Sequence, residues 1–414
     1  MAAVAGPTSP SEAPSKPGPF LSLRNRDFRW LWISTVAVGF GQWGQQIALG
    51  ILVYNLTGSA VQLGGVTTAS GVVSLSVTPF FGLLADRYSR RTIMVVSSSL
   101  GALQAGILAV LVLSDVVVVW HAYVFAVLTA LTQAANQPAR QAYVNDVSTP
   151  ETLANAISLN SIAQNVSRIA GPPLAGYLAV LNVGAAFLFV AGIRGVATLA
   201  TMLMGRRPHE RTAGNRNPFK QILDGFAYLL SEPRLRLLLA INAVPALMVY
   251  PYMSMMPIFA EEVFHEPTAY GWLVAMIAVG SVVGLFALAW LGDIPRKTQI
   301  MLGCFLVYLV LVLLFTRTDL LWLALGTLIV AGLFHGVALA LNNTVFQSEI
   351  RPDMRGRGMA AWQIGFGLMP LGGLPMGVLV DRVGIQDGVA IPMLACLAVF
   401  AMIVVFGRSL TRGA

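Results

Sequence analysis

The chain has 414 residues, of which 56% are hydrophobic and only 11% are charged. A soluble domain carries about a quarter of its residues as charges, so this composition excludes a water-soluble globule and leaves most of the surface to lipid. The formal net charge of +8 would suit a nucleic-acid partner, but the basic residues lie in short segments between apolar runs and form no basic face, which argues against that class.

The apolar runs predict membrane-spanning helices. A helix needs about twenty largely apolar residues to cross the hydrocarbon layer, because each residue rises about 1.5 Å and the layer is about 30 Å thick. We expect spans at 30–54, 62–85, 92–113, 119–140, 155–180, 184–205, 236–260, 268–292, 298–316, 320–346, 357–381 and 388–407. The sequence therefore predicts an all-α membrane protein with about twelve transmembrane helices in two pseudo-symmetric six-helix bundles, over 20–205 and 236–407.

Three segments lie outside these bundles. Residues 1–19 are rich in Pro, Ser, Ala and Gly without an apolar centre, which predicts a disordered cytoplasmic tail and not a signal peptide. Residues 206–235 are polar and basic and predict a cytoplasmic linker, whose part 218–230 is either a tether or an amphipathic helix at the membrane surface. Residues 408–414 are predicted to be a short cytoplasmic tail.

The distribution of Lys and Arg predicts the orientation of the chain. Of 26 such residues, 22 fall in the tails and in the loops that share a side with them, whereas the opposite loops hold only Arg317 and Arg382. Basic loops stay on the cytoplasmic side, so both termini are predicted to be cytoplasmic and the protein to lie in the cell membrane.

The two bundles are related by a weak internal repeat. A displacement of 202 residues places Gly171 on Gly373 and Pro173 on Pro375, at equivalent positions of the fifth and eleventh spans. Parallel repeats related by an axis along the membrane normal are typical of transporters that rock two halves about a central site. The repeat predicts a transporter of a small molecule, which we expect to act as a monomer in the lipid bilayer.

The loop after the second span carries a motif. From Gly82 to Arg91 the sequence reads GLLADRYSRR, which resembles the signature G-x-L-A-D-R-x-G-R-R/K of the major facilitator superfamily (MFS), with Ser in place of the second Gly. The resemblance extends over about residues 20–407 and implies the MFS fold. The motif residues that it assigns to a conformational switch are Gly82, Asp86, Arg87, Arg90 and Arg91.

The carboxylate of this motif has a physical interpretation. Asp86 is placed at the cytoplasmic membrane edge, where the positive end of the eleventh helix, near Arg357, would stabilise it. We expect this contact to hold the two halves together in the outward-facing state; the alternative is a basic turn with an incidental acid. Transport at the wild-type rate by a normally expressed Asp86→Asn variant would exclude the contact.

A second motif lies on the fifth span. Ser158, Ser167, Gly171, Pro172 and Gly176 resemble the antiporter motif G-x8-G-x3-G-P-x2-G-G of MFS exporters, with three glycines replaced by other small residues. The resemblance implies export. Small residues and a proline on one helix also fit a kinked, closely packed helix that has no influence on direction.

The segments around these motifs place the chain in one branch of the superfamily. Gln137–Arg140 and Pro150–Asn155 look most like the enterobactin-exporter and macrolide-efflux branch, which implies proton-driven export of siderophores or amphipathic drugs. The alternatives are an importer that is a proton symporter, or a membrane sensor or enzyme. No phosphate loop, HExxH pair or GxSxG elbow is present in the sequence, so we expect neither catalysis nor a cofactor or metal.

Few ionisable residues lie deep within the predicted spans, and none of those at mid-span is a carboxylate. Such residues are costly in lipid, which makes Arg168, Arg194 and His335 functional candidates. The arginines would attract an anionic or electron-rich substrate, and His335 would take up the coupling proton. Alternatively, backbone carbonyls and amides satisfy the arginines and His335 is an interior packing residue.

Amide side chains provide the remaining candidates for a substrate path. Gln42, Gln45 and Gln46 lie in the first span and Asn242 in the seventh, which are equivalent in the repeat. They would line a path between the halves, or else form hydrogen bonds between helices worth about 0.6 kcal/mol each.

Overall fold

The computed structural model describes residues 20–205, 218–292 and 294–406, with side chains described over the same ranges apart from 79, 82–87, 218–222, 360, 366 and 404–406. The predicted tails at 1–19 and 408–414 and residues 206–217 of the predicted linker lie outside these residues. Within them, the secondary structure is helical throughout.

The first half contains six long helices. A short 3-10 turn at Leu21–Arg24 leads to Asn25, whose side chain accepts a hydrogen bond from the Asp27 amide and caps the first helix. The helices are α1 (Arg26–Thr57), α2 (Ala60–Arg87), α3 (Arg90–Leu113), α4 (Val119–Val147), α5 (Leu153–Leu181) and α6 (Val183–Met202). Gly58, at φ +57°, allows the tight turn from α1 to α2 because it has no Cβ to oppose the left-handed conformation.

The second half begins with α7 (Pro218–Ser231), which covers the segment for which a tether and an amphipathic surface helix were the alternatives. An interrupted helical segment follows, which consists of α8 (Pro233–Met248), a 3-10 turn (Tyr250–Met255), α9 (Met256–Ile258) and a π turn (Phe259–Val263). The remaining helices are α10 (Ala269–Leu291), α11 (Lys297–Phe315), α12 (Leu321–Glu349), α13 (Arg355–Gly367), α14 (Gly373–Val383) and α15 (Ile385–Phe406), with a 3-10 turn at Met369–Gly372 between α13 and α14.

Ten helical segments of the described chain are long and apolar enough to cross a membrane. They include the two interrupted segments Pro233–Val263 and Arg355–Val383. The two other long helices, α4 and α5, have 29 residues each, but amides and arginines make them less apolar. Together they are consistent with the twelve predicted spans.

The predicted seventh and eleventh spans are not continuous helices, contrary to expectation. The seventh changes to 3-10 geometry at Tyr250–Met255, where Pro251 lacks the amide hydrogen that a helix needs. The eleventh changes in the same way at Met369–Gly372, which contains Pro370. These interruptions bring irregular backbone to the middle of the bundle, where it lines a cavity and not lipid.

The two halves meet closely at one end of the bundle. We call this the distal end; it carries the turns at Gly58 and Gly384, opposite the end that carries residues 26 and 406. Here α2 packs on α14 and α5 packs on α10. A Cβ on Gly64 would lie 2.1 Å from the carbonyl oxygen of Gly373, so the backbones of α2 and α14 are in direct contact.

The other end of the bundle, the terminal end, is more open. Ser161 and Gln164 on α5 are exposed and line a cavity, although the distal part of the same helix is buried against α10. Among the described residues, the structure is therefore closed at the distal end and more open at the terminal end.

Candidate substrate cavity

A central cavity of about 380 Å³ lies between the two halves. Its polar wall comes mainly from the first half: Gln42, Gln45 and Gln46 of α1, Thr67, Ser70 and Ser74 of α2, and Thr129 and Gln133 of α4. The second half contributes Ser254 and Tyr270 together with Pro251, Met253, Met369 and Pro370, which belong to or adjoin the interrupted helices. The three glutamines proposed from the sequence are thus brought together at one site.

A second cavity, of about 330 Å³, lies toward the terminal end. Its lining consists of first-half residues: Thr35, Val38, Gly39, Gln42, Trp43, Gln137, Arg140, Ser161, Gln164, Asn165 and Arg168. Gln42 lines both cavities, so the two are adjacent. The terminal cavity contains two guanidinium groups and no carboxylate in its lining.

Arg168 is the more accessible of these two arginines. It lies at the middle of α5 with its guanidinium carbon 5.8 Å from the centre of the Trp43 ring, within the range of a cation–π contact. No described residue forms a hydrogen bond or an ion pair with it. Arg168 therefore brings a charge to the cavity that no described protein group neutralises.

Arg194, the other arginine predicted from the sequence, lies behind the cavity wall. Its side chain is 4% exposed, and its Nη2 donates to Oε1 of Gln45 at 2.8 Å. Gln45 in turn donates through Nε2 to the Thr129 hydroxyl at 2.7 Å. Arg194 thus contacts the central cavity only through Gln45, and its buried Nε has no hydrogen-bond partner among the described residues. Whether it serves the substrate or the packing stays a prediction.

The sequence did not indicate Arg140 as a site residue. The fourth span was expected to end there, with Arg140 in the cytoplasmic loop, but α4 continues to Val147 and Arg140 is only 3% exposed. Its guanidinium donates to Asn136 through Nε at 3.2 Å and to Ser34 and Thr35 through Nη1 at 3.2 and 3.1 Å. The polar stripe of Gln133, Gln137 and Arg140, at helical spacing, is the signal that could have identified it.

His335 lies in the second half, away from the cavity lining. Its ring is stacked on Tyr308 with 4.7 Å between centroids and lies edge-on to Tyr250 at 5.0 Å. Its Nε2 is buried and has no hydrogen-bond partner among the described residues. Asn242 is fully buried in the same half, and neither atom of its amide has a described partner. The structure does not bring these two residues together with the glutamines of α1.

The antiporter-like motif places α5 between α1 and α10. The Ser167 hydroxyl donates to the carbonyl of Val36 on α1 at 3.1 Å, and a Cβ on Gly171 would lie 3.1 Å from the Cβ of Trp43. Gly176 and the carbonyl of Pro172 contact Gly271 on α10. Ser158 is exposed and bonds only within its own helix. Ser167 and Gly171 are thus packing positions within the first half, whereas Pro172 and Gly176 lie at the contact between the halves. The effect of the motif on the direction of transport stays a prediction.

The signature loop is described in part. Arg90 forms an ion pair with Asp146 at the end of α4, and Arg91 donates to the carbonyl of Met202 at the end of α6. These contacts join three helices of the first half at the terminal end. The side chains of Asp86 and Arg87 lie outside what the structure describes, as does the packing of Gly82. The expected contact of Asp86 with the eleventh span stays a prediction.

Two carboxylates of the second half bind the first half at the distal end. Asp381, on α14, accepts hydrogen bonds from the Ser59 hydroxyl and the Ala60 amide, both at 2.8 Å. Because these groups form the start of α2, the carboxylate also interacts with the positive end of the helix dipole. Nearby, the Tyr54 hydroxyl donates to Glu262 at 2.5 Å. These contacts hold the distal end closed.

Neutralising Asp381 is expected to open the distal end. Asp381→Asn removes the charge at the α2 terminus and weakens the amide hydrogen bonds, at a cost of about 1 kcal/mol, or a fivefold shift toward the open state. Spin labels at Val116 and Leu320, exposed distal residues of the two halves, would report this as a larger long-distance population. Asp387→Asn is the control, because its ion pair with Arg317 lies within the second half. Equal distance distributions in both variants would contradict the prediction.

Comparison with known proteins agrees with this architecture. The family model of the Major Facilitator Superfamily matches residues 31–373. The structure resembles the nucleoside transporter NupG with a TM-score of 0.73 at 14% identity, covering 94% of this chain and 99% of that one. It also resembles a bacterial homologue of the human lysosomal transporter Spinster in an inward-facing, unoccupied conformation, with a TM-score of 0.72 at 15% identity, covering 96% and 98%. At these identities the likeness concerns the fold.

Several curated relatives share most of their length with this chain. The staphyloferrin A transporter of Staphylococcus aureus is 26% identical over 86% of this chain and 90% of its own. The multidrug efflux pump Tap of Mycolicibacterium fortuitum is 25% identical, covering 87% and 91%, and macrolide efflux protein A of Streptococcus pyogenes is 20% identical, covering 86% and 90%. The helical architecture, the cavity between the two halves and the match to the family model lead to one conclusion: the chain belongs to the major facilitator superfamily.

Proposed function

We propose that the protein is a proton-coupled exporter that moves a siderophore-like or amphipathic small molecule out of the cell by alternating access. The observation that carries this proposal is the polar cavity between two halves, closed at the distal end and accessible from the terminal end. The relatives named for efflux or for a siderophore support the direction and the substrate class.

The proposed orientation places the terminal end in the cytoplasm, since most basic residues lie there. In the structure the cavity would then receive its substrate from the cytoplasm. Separation of α2 from α14 and of α5 from α10 would expose the same cavity to the outside. The cycle needs no second binding site, and we expect a monomer in the cell membrane to perform it.

For proton coupling we propose His335. Protonation of its buried Nε2 would place a charge among Tyr250, Tyr308 and the nearby Arg168 of the first half, which favours rearrangement of the contact between the halves. Burial of the unprotonated ring is compatible with the present state. A conformation in which water reaches Nε2 would allow it to accept a proton.

Transport into everted vesicles tests the direction. In these vesicles the cytoplasmic face points outward, so an antiporter accumulates its substrate when the lumen is acidic and protons flow out. We expect uptake of a radiolabelled macrolide or siderophore under this gradient and none when the gradient is collapsed. Uptake that requires an acidic exterior would instead establish the symporter alternative, because solute and proton would then move together.

A further inference from the structure

We infer that the terminal cavity binds an anionic substrate with two or more carboxylates, which pairs with Arg168 above the Trp43 ring. The inference rests on the proposed function and adds the charge of the transported molecule. Arg168 is suited to this contact because its guanidinium lies over an aromatic face and forms no hydrogen bond or ion pair within the described chain. A guanidinium can hold a carboxylate through two parallel hydrogen bonds.

The charges around the cavities support an anion. Arg140, Arg168 and Arg194 lie within the first half, near the middle of their helices or one to two turns from it. The described lining of the two cavities contains no carboxylate that could neutralise them. Buried positive charge without a counter-ion is costly in a low dielectric, and an entering anion reduces that cost. A cationic substrate would meet repulsion from all three groups.

The two arginines of the terminal cavity have different roles. Arg140 uses four of its five N–H groups on Asn136, Ser34 and Thr35, which fixes the guanidinium against α1. It therefore contributes a positive field at a constant position. Arg168 has no such bonds and is free to follow a ligand. This combination suits a multivalent anion, because one carboxylate can pair with Arg168 while a second remains within the field of Arg140.

The rest of the lining matches an oxygen-rich ligand. Gln42, Gln137, Gln164 and Asn165 present amides to the cavity. Their N–H groups can donate to carboxylate oxygens and their carbonyls can accept from hydroxyl groups. The Trp43 ring adds an apolar surface beside the charge. A volume of about 330 Å³ accommodates a small organic acid.

Binding of citrate, a tricarboxylate, to the purified full chain in lipid nanodiscs tests the site. At constant ionic strength we expect citrate to raise the melting temperature and tetraphenylphosphonium, a cation, to have no effect. Arg168→Gln should weaken citrate binding by at least about tenfold, since a charge-assisted contact is lost. Arg168→Lys should restore part of the affinity. Arg355→Gln, at an exposed residue outside the cavities, should bind citrate as the wild type does.

The pH dependence gives a readout that a merely structural role would not produce. Guanidinium groups stay charged, whereas the carboxylates of citrate become protonated as the pH falls from 7 to 4. Wild-type affinity should therefore fall along this range, and the fall should be smaller in Arg168→Gln. A cooperative thermal unfolding transition of each variant without ligand verifies that the variant is folded.

Three results separate the inference from the proposed function. Equal citrate affinity in folded wild-type and Arg168→Gln protein, or no citrate binding by the wild type, would overturn the anion site. If the wild type still transported a macrolide into everted vesicles in that case, the proposed exporter function would stand without the anion site. Citrate binding that depends on Arg168, with no transport of citrate or macrolide under either gradient, would support the site and overturn the exporter.

Discussion

Gly271→Val is expected to abolish transport by preventing the distal end from closing. A Cβ on Gly271 would lie 2.4 Å from the carbonyl oxygen of Pro172 and 2.8 Å from the Cα of Pro173, both on the opposite half. These neighbours are backbone atoms, which cannot rotate away as a side chain can. Overpacking of this kind costs about 3 kcal/mol, which disfavours the closed state by ~100-fold.

The substitution should leave each half folded, because the clash lies between the halves and not within one. The spin labels at Val116 and Leu320 should show the open distance, and vesicle transport should be lost. Gly326→Val is the matched control, since a Cβ there meets no atom within 4 Å. Both variants replace a helical glycine by valine, so the change in helix propensity is the same in the two. Normal transport by Gly271→Val, or equal loss in the control, would contradict the role of this contact.

His335→Gln is expected to uncouple transport from the proton gradient. Glutamine can occupy the space of the ring and form hydrogen bonds, but it cannot take up a proton near neutral pH. We therefore expect substrate accumulation against a gradient to be lost, a change of tenfold or more, while exchange of labelled for unlabelled substrate continues. Binding affinity should stay near the wild-type value, because His335 does not line either cavity.

The control for His335 is another histidine. His121→Gln changes a residue at the distal start of α4, where the ring nitrogen Nδ1 accepts a hydrogen bond from the Val118 amide. It should accumulate substrate as the wild type does. If His335→Gln also retains accumulation with an unchanged response to pH, the proton must be carried elsewhere. A reduced melting temperature together with lost binding would instead identify His335 as an interior packing residue.

The sequence was sufficient to predict the architecture because each segment that crosses the bilayer must be an apolar helix of about twenty residues. Span length and apolarity are local properties, so the ends of α1, α3 and α6 lie within a few residues of the prediction. The interruptions at Pro251 and Pro370 were missed, although both prolines were visible. A proline in a membrane helix can produce a kink or a change to 3-10 geometry, and neighbouring helices decide between them.

The site was only partly predictable, because contacts between helices decide what a polar residue does. The glutamines of α1 were identified and line the central cavity. Arg140 was assigned to a loop because the predicted span ended at this residue, whereas α4 continues for seven residues beyond it. Nor does the sequence around Asp381 reveal that it caps α2, more than 300 positions away in the chain. Such pairings depend on how the halves dock.

The uneven origin of the cavity walls has a consequence for engineering. Glutamines, threonines and arginines around both cavities belong mainly to the first half, whereas the second half supplies apolar and aromatic surfaces and the carboxylate that caps α2. We therefore expect substrate selectivity to depend mainly on the first half and the response to the proton gradient mainly on the second. In a chimaera that joins the first half of one relative to the second half of another, the substrate selectivity should be that of the first relative. The response to the proton gradient should be that of the second.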